Sequence, residues 1–216
     1  YLDFTAAQTP TVLIANSKTT QRRIASYYNR KSIVIYPPVE PAFYQVRQKT
    51  PRYYVFHSRH VKQKGLELVV AAFNQINEKL IIVGTGPLTH RVKKTAQNNC
   101  SFVGRVSDAQ LLELLSHAKA TIFCGIEEDF GLVMAESLAA GVPVIAFGSP
   151  AARELIRSNK TGILFSDYTV ESLQSAIRLF SQRTFSSHLC RVDAQKYHRR
   201  VFTRILYQLM LSYLPS

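Results

Sequence analysis

Residues 121–140 read TIFCGIEEDFGLVMAESLAA and contain the two elements that decide the fold. The apolar run Thr121–Cys124 predicts a short buried strand, and Gly131–Ala140 predicts a helix that Gly141 ends in the position glycine favours after a helix. A short acidic loop joins the two elements. A strand that passes through a short loop into a helix is half of a β–α–β unit, the building block of parallel sheets.

The same alternation continues on both sides of this stretch. Strands are predicted at 53–57, 80–83, 101–103, 121–124, 144–146 and 162–165, and helices at 65–74, 90–97, 107–118, 131–140, 151–157 and 170–181. Strands that alternate with helices at this rhythm indicate a parallel sheet covered on both faces. We therefore predict an α/β fold with a Rossmann-like, doubly wound parallel sheet.

The two ends of the chain predict smaller units. Near the start, a strand, a helix and a second strand are expected at 11–15, 18–28 and 32–36, before a linker with several prolines. The tail, Ala194–Leu214, predicts one amphipathic helix with a basic face. We expect three parts: residues 1–50 as the end of a preceding domain, 51–182 as the Rossmann-like domain, and 183–216 as a helix that packs back onto the first part.

The formal charge of +13 is concentrated at the ends of the chain. Residues 1–50 hold seven Lys or Arg against two Asp or Glu, and residues 181–216 hold six against one. Such a surface favours an anionic partner, or it only keeps the chain in solution. No module with interleaved basic and aromatic residues is evident, so a nucleic-acid partner is not expected. No apolar run is long enough to predict a membrane-spanning helix.

Cysteine and histidine patterns do not predict a metal site. Cys100, Cys124 and Cys190 lie far apart in the sequence, which fits neither a zinc site nor a disulfide framework. The sequence contains no HxxxH pattern and no Asp-x-Asp pair. We expect no metal and no cofactor, and a cytoplasmic, reducing compartment.

The acidic loop and the helix that follows it predict an anion site. Ligands of open parallel sheets bind at the carboxyl ends of the strands, and free N–H groups at a helix start attract phosphate. Gly131 allows a ligand to approach the backbone. Glu136 lies one turn into the helix and suits two ribose hydroxyls, whereas Glu128 could reach the far end of such a ligand. The alternative is that these carboxylates only stabilise a helix N-terminus or lie in solvent.

Arg59 and Lys64 supply positive charge after the first strand of the domain. A guanidinium fork and a mobile ammonium both bind phosphate oxygens, and they would stabilise the charge that grows on a departing diphosphate. A solvated basic loop is the alternative.

These residues resemble glycosyltransferase family 4. Glu128 to Glu136 matches the family's Glu-x7-Glu pattern. Further matches follow the family's order along the chain: Arg59 with Lys64, the VGTGP turn at 83–87, Val103-Gly104-Arg105 and the AAGVPVI segment at 139–145. The resemblance covers roughly residues 10–180.

The resemblance implies a GT-B fold, in which two Rossmann-like domains face each other, and retention of anomeric configuration without a metal. This chain would supply the C-terminal, donor-binding half and a short β–α–β remnant of the acceptor-side half. The implied catalytic residues are Glu128, Arg59 and Lys64. The implied donor-binding residues are Arg59, Lys64, Gly84, Val103, Gly104, Arg105, Glu128, Phe130, Gly131, Leu132, Val133 and Glu136.

The resemblance also implies substrates. A nucleotide-sugar would be the donor, a GDP-sugar rather than a UDP-sugar, and the EEDFG form favours mannose. The acceptor would be a glycan or a lipid-linked molecule of surface polysaccharide or glycolipid synthesis. We expect the basic ends to contact an anionic membrane peripherally, and the chain to need the rest of its N-terminal domain for turnover.

Two other functions stay open at this point. The chain could be a nucleotide-sugar-binding module without activity of its own, or part of a GT-B nucleotide-sugar epimerase. An epimerase would isomerise the donor without any acceptor, whereas a bare module would bind the donor and gain transfer only when the missing domain is added.

Overall fold

The computed structural model describes residues 2–213, and it confirms the predicted α/β fold. The strands are β1 Ile14–Ala15, β2 Ile33–Val34, β3 Tyr53–His57, β4 Leu80–Val83, β5 Cys100–Gly104, β6 Ala118–Phe123, β7 Val144–Phe147 and β8 Gly162–Phe165. The helices are α1 Leu2–Gln8, α2 Lys18–Tyr28, α3 Leu66–Phe73, α4 Thr89–Thr95, α5 Asp108–Ser116, α6 Leu132–Ala139, α7 Pro150–Leu155, α8 Val170–Ser181, α9 Ser187–Ala194 and α10 Arg199–Leu211. Short 3-10 turns occur at Pro41–Gln45, Lys62–Lys64 and Gln195–Tyr197.

The main sheet has six parallel strands in the order β5-β4-β3-β6-β7-β8. The order reverses between β3 and β6, which is the switch point of a doubly wound sheet. Because side chains alternate along a strand, Tyr54 and Phe56 of β3 enter the core on one face, and Val55 enters the core on the other. The crossover helices therefore cover two buried faces.

The first part of the chain forms a small unit beside this sheet. β1 and β2 pair only with each other, in parallel, and α2 connects them. Ser17 caps α2 by accepting a hydrogen bond from the N–H of Thr20. The carboxylate of Glu154, on α7, accepts hydrogen bonds from the N–H groups of Lys18 and Thr19 at 2.9 and 3.3 Å. The small unit is thus tied to the main sheet through the start of α2.

The C-terminal region differs from the prediction of one helix over Ala194–Leu214. It forms α9 and α10 with a 3-10 turn between them, and Leu214 lies outside the described residues. Ser186 caps α9, and His198 takes an extended conformation (φ −64°, ψ 139°) that interrupts the helix. The backbone of Val39 donates to Tyr197 at 2.8 Å, so a tertiary contact fixes this break.

The Tyr197 contact also orders the predicted linker, in which Pro41–Gln45 forms a 3-10 turn.

The helix α1, at the start of the chain, was not predicted from the sequence. Within residues 2–213, no helix is both long and apolar enough to cross a membrane.

Candidate functional site at the carboxyl edge of the sheet

The predicted motif segments meet at the carboxyl edge of the main sheet. The N–H of Gly84 donates to the carbonyl of Gly104 at 2.7 Å, which joins the loop after β4 to the last residue of β5. The N–H of Ile126 donates to the carbonyl of Gln63 at 3.2 Å, which joins the loops after β6 and β3. Because the strands are parallel, four loops that are distant in sequence form one surface.

Gly84 is required for the close approach of two of these loops. Its φ is +111°, a conformation that residues with a side chain rarely adopt. A Cβ atom built there would lie 1.9 Å from the carbonyl oxygen of Ser58. The glycine therefore lets the loop after β4 lie directly against the loop after β3.

The start of α6 leaves backbone donors available. Gly131 is the N-cap, with φ +86°, and it has no side chain to accept from the first turn. The first N–H groups of a helix have no partner within the helix, so this end suits an anion. Leu132 is 40% exposed beside it, and Val133 is partly buried.

Phe130 belongs to the core rather than to the ligand surface. Its side chain is buried, and its ring centroid lies 5.8 Å from that of Tyr36 and 5.2 Å from that of Tyr197. Only its backbone remains for a contact with a ligand. The ring anchors the loop just before α6 to the residues that precede and follow the sheet.

Glu128 and Lys64 are brought together as an ion pair. The ammonium of Lys64 donates to Oε2 of Glu128, and both side chains are largely buried, at 25% and 17% exposed respectively. The sequence assigned Lys64 to the diphosphate and Glu128 to the adjacent sugar of a donor, and the structure brings these two residues into contact. A phosphate that binds the ammonium of Lys64 must share it with the Glu128 carboxylate or displace that carboxylate.

Two arginines at this edge lack protein partners. The exposed guanidinium groups of Arg59 and Arg105 form no hydrogen bond or ion pair with any of residues 2–213. Arg105 follows Gly104 (φ +73°) and the 42%-exposed Val103 at the end of β5. The free guanidinium groups leave positive charge at the edge where the α6 N–H groups emerge.

Glu136 is a partly buried carboxyl group without a cation. Burial, together with the nearby carboxylate of Asp108, raises its pKa to about 7. Within the described chain its side chain has no hydrogen bond or ion pair. Hydrogen-bond donors on a ligand would favour the charged form of Glu136, because they would supply the hydrogen bonds that this carboxylate lacks in the described chain.

The sequence did not reveal the brace behind the loop after β4. His60 is fully buried, and its Nδ1 atom lies 2.8 Å from Oγ1 of Thr89, which accepts from the N–H of Gly86 at 2.9 Å. Burial lowers the pKa of His60, so the ring is neutral near pH 7. A threonine three residues after a glycine turn is the one signal that could have indicated this contact.

Metal-binding side chains do not cluster in the described structure. Within residues 2–213, no three His, Cys, Asp or Glu side chains are grouped so as to hold a metal ion. The metal-free reaction stays a prediction.

Comparison with known families identifies the class of protein. Residues 40–197 match the family model "Glycosyl transferases group 1". The chain belongs to this family of glycosyltransferases, because the match spans more than half of its length.

Curated relatives share part of the chain. A GDP-mannose-dependent alpha-(1-6)-phosphatidylinositol monomannoside mannosyltransferase of Mycobacterium tuberculosis is 33% identical over 139 residues, which cover 56% of this chain and 36% of the relative. An alpha-monoglucosyldiacylglycerol synthase of Streptococcus pneumoniae is 29% identical over 159 residues, which cover 67% and 36%. The matches thus span about a third of the length of these relatives.

Solved structures share the fold at low sequence identity. Sucrose-phosphate synthase from Thermosynechococcus elongatus superposes with a TM-score of 0.82 at 18% identity, over 98% of this chain and 60% of that one. HepE from Anabaena, in complex with UDP and glucose, gives 0.80 at 20% identity, over 97% and 65%. These likenesses agree with the predicted C-terminal half of a GT-B fold.

Proposed function

We propose that this chain is the donor-binding part of a retaining glycosyltransferase of the family 4 type, which transfers mannose from GDP-mannose to a glycan or a lipid-linked acceptor. The observation that carries the proposal is the unpaired, partly buried Glu136 one turn into α6. It lies on the helix whose first N–H groups are uncapped by any side chain, and Arg59 remains unpaired at the same sheet edge.

The nucleoside end of the donor would bind Glu136. Two ribose hydroxyls can each donate to one carboxylate oxygen, and such bonds to a charged acceptor are stronger than neutral ones. Residues Val103, Gly104 and Arg105 would flank the base at the end of β5. Ribose binding would lower the pKa of Glu136 from about 7 towards its usual range, because the hydroxyls favour the carboxylate.

The diphosphate would bind at the start of α6, with Arg59 and Lys64. The negative charge on its oxygens grows as the bond between the anomeric carbon and the phosphate oxygen breaks. Cations already in place stabilise that charge without reorganisation, which lowers the barrier. Arg59 is free to do this, whereas Lys64 would move from Glu128 towards the phosphate.

The sugar would occupy the space beside Glu128. When Lys64 turns to the phosphate, the carboxylate of Glu128 becomes available to the hydroxyls or to the positive charge that develops on the sugar ring. The acceptor oxygen then bonds to the anomeric carbon on the face from which the diphosphate leaves, as retention requires, and the hydroxyl proton passes to the departing diphosphate. Residues that activate the acceptor would come from the preceding domain.

Mannose and GDP are favoured by the EEDFG loop and by the mycobacterial relative. The mycobacterial relative is named as GDP-mannose-dependent, and its name places the acceptor among phosphatidylinositol mannosides. The pneumococcal relative is named as an alpha-monoglucosyldiacylglycerol synthase, so its name contains a diacylglycerol lipid but a glucosyl group rather than mannose. Both names support a lipid-linked acceptor for this chain.

The C-terminal helix supports the proposed domain arrangement. Leu206, Leu209 and Met210 of α10 line one apolar groove together with Val12 and Ile14. We infer that α10 packs beside the first 50 residues and, with them, against the preceding domain. The basic residues of α10 would then lie near an anionic inner membrane surface, and the protein would bind it peripherally from the cytoplasm. Sedimentation with acidic vesicles that does not weaken with salt would exclude this contact.

The donor site is tested by calorimetric titration with GDP, UDP and ADP at low salt. The proposal expects GDP to bind more tightly than UDP and ADP, and both Arg59→Ala and Glu136→Ala to weaken that binding. Simple charge attraction would treat the three nucleotides alike, and Glu136→Ala would leave it intact or strengthen it. Preference for UDP would keep the donor site and overturn the assignment of mannose.

A further inference from the structure

We propose that Ser17 and Arg23, which precede the Rossmann-like domain, are positioning residues that hold the acidic loop 125–131 and thereby place Glu128 against the donor sugar. The inference rests on the proposed function for the identity of the ligand. Its structural part, the clamp on the loop, stands on contacts that involve no ligand.

One side of the loop is held by α2. The hydroxyl of Ser17 donates to the carbonyl oxygen of Asp129 at 2.5 Å, and Arg23 forms an ion pair with the Asp129 carboxylate. Ser17 is fully buried, so its hydrogen bond is shielded from water. Asp129 is therefore bound through both its backbone and its side chain.

The other side of the loop is held by the Rossmann-like domain. The N–H of Ile126 donates to the carbonyl of Gln63, and Glu128 pairs with Lys64. The consecutive residues Glu128 and Asp129 thus bind partners on opposite sides of the loop: Glu128 binds the Rossmann-like domain, and Asp129 binds α2. A shift of Asp129 changes the backbone next to Glu128, so α2 helps to set where the Glu128 carboxylate lies.

α2 is a firm support for this clamp. The same Ser17 oxygen that donates to the loop accepts from the N–H of Thr20 at 2.9 Å, so it also fixes the start of the helix. The carboxylate of Glu154 also accepts hydrogen bonds from the N–H groups of Lys18 and Thr19, in the first turn of α2, and from the hydroxyl of Tyr36 at 2.8 Å. α2 belongs to residues 1–50, which precede the Rossmann-like domain. Movement of these residues would therefore shift Asp129 and, through it, the position of Glu128.

The clamp makes a specific prediction about ligands. Glu128 is assigned to the sugar, whereas the nucleotide contacts lie at Arg59 and Glu136. Loss of the clamp should weaken a nucleotide-sugar more than the matching nucleotide. General destabilisation of the fold would weaken both equally, so the ratio of the two affinities separates positioning from folding.

The experiment measures the affinities of GDP and GDP-mannose, and of UDP and UDP-glucose, by calorimetry. The variants are Arg23→Ala, Asp129→Asn and the double variant, with Arg22→Ala as a matched control, since Arg22 is an exposed neighbour on α2 with no side-chain partner within residues 2–213. We expect the nucleotide-sugar to nucleotide affinity ratio to fall about 2- to 5-fold in the single variants, with no further fall in the double variant. Arg22→Ala should keep the wild-type ratio.

Amide hydrogen exchange without ligand is the second measurement. Loop residues 125–131 should exchange faster in Arg23→Ala and in Ser17→Ala than in Arg22→Ala. Unchanged exchange in both clamp variants overturns the inference whatever the ligand is. If the exchange changes but the wild type binds none of the four ligands, the donor assignment has failed and the clamp has not. An unchanged affinity ratio with bound donor shows that the clamp does not position Glu128.

Discussion

Two partly buried carboxyl groups, Glu78 at the amino edge of the six-stranded sheet and Glu136 near its carboxyl edge, differ in whether a cation pairs with them. At the amino edge, Oε2 of Glu78 accepts from the ammonium of Lys119 at 2.7 Å, and the two side chains are 28% and 32% exposed. Near the carboxyl edge, Glu136 is partly buried and pairs with no cation among residues 2–213, and burial raises its pKa to about 7. The chain neutralises one carboxylate and leaves the other uncompensated.

This difference supports the proposal that Glu78 serves the fold whereas Glu136 serves a ligand. A buried charge without a partner costs stability, so a protein keeps one where something else will pair with it. The carboxyl edge also contains Gly84 and Gly131, which adopt positive φ angles, and a Cβ atom at Gly84 would collide with the carbonyl oxygen of Ser58. Substitutions at the two edges of the sheet test this contrast.

Among the substitutions considered, replacing Gly84 should lower the free energy of unfolding most. In Gly84→Ala the new Cβ meets the carbonyl of Ser58 and the positive φ is unfavourable, so we expect a loss of about 2–5 kcal/mol in the free energy of unfolding. Urea denaturation measures it. Gly104→Ala is the control, because its φ is also positive but no atom lies within 4 Å of the added Cβ. An equal loss in both variants would mean that the contact with Ser58 is unimportant.

Removing an unpaired arginine should affect binding at one edge only. Arg59→Ala should weaken GDP binding by about 1.5–3 kcal/mol, the value of a lost hydrogen bond to a charged group. Arg52→Ala removes an exposed arginine that precedes β3, at the amino edge, and should leave GDP affinity unchanged. Calorimetry at constant salt compares the two. Similar losses would show that overall charge, and not a site, attracts the nucleotide.

Neutralising Glu136 should stabilise the unliganded protein above pH 7. The folded state raises the pKa of this acid to about 7 from 4.5, so it binds the proton more tightly than the unfolded chain does. Its contribution to stability therefore falls as pH rises from about 4.5 through 7. Glu136→Gln should gain about 1–2 kcal/mol at pH 8 and little at pH 4. Denaturation at both pH values measures this, and equal stability of the two proteins at pH 8 would contradict it.

The same change at the amino edge should have the smallest effect and the opposite sign. Glu78→Gln removes the partner of Lys119 and should cost up to about 1 kcal/mol of stability, as partly exposed ion pairs do. GDP affinity should not change. A gain in stability at pH 8, like that expected for Glu136→Gln, would remove the contrast between the two edges.

Local signals predicted the elements with the clearest boundaries. The bounds of α2, β3, β4, β8 and α8 agree with the prediction. The capping box at Ser107 and Gln110 is present, and Gly141 ends α6 with φ +79°. Each of these features depends on residues that are close together in the sequence. The sequence order of the motifs and the parallel sheet were then enough to bring the predicted site segments to one edge.

Contacts between distant residues were not predictable in this way. The break before α10 depends on Val39 and Tyr197, which lie far apart in the sequence. Likewise, periodicity says nothing about the bond from Ser17 to Asp129 or about the pairing of Lys64 with Glu128. The roles of the site residues in binding a donor stay predictions.

The most direct test of the central claim maps where a nucleotide binds. Backbone amide NMR shifts would be followed while GDP is added to the chain. We expect the largest shifts in the loops and helix start of the carboxyl edge, at 58–65, 84–88, 103–107 and 125–136. Residues 117–119 and 141–143, at the amino edge, should stay unchanged. Shifts centred on the amino edge, or spread over the basic ends of the chain, would contradict the assignment of a donor site.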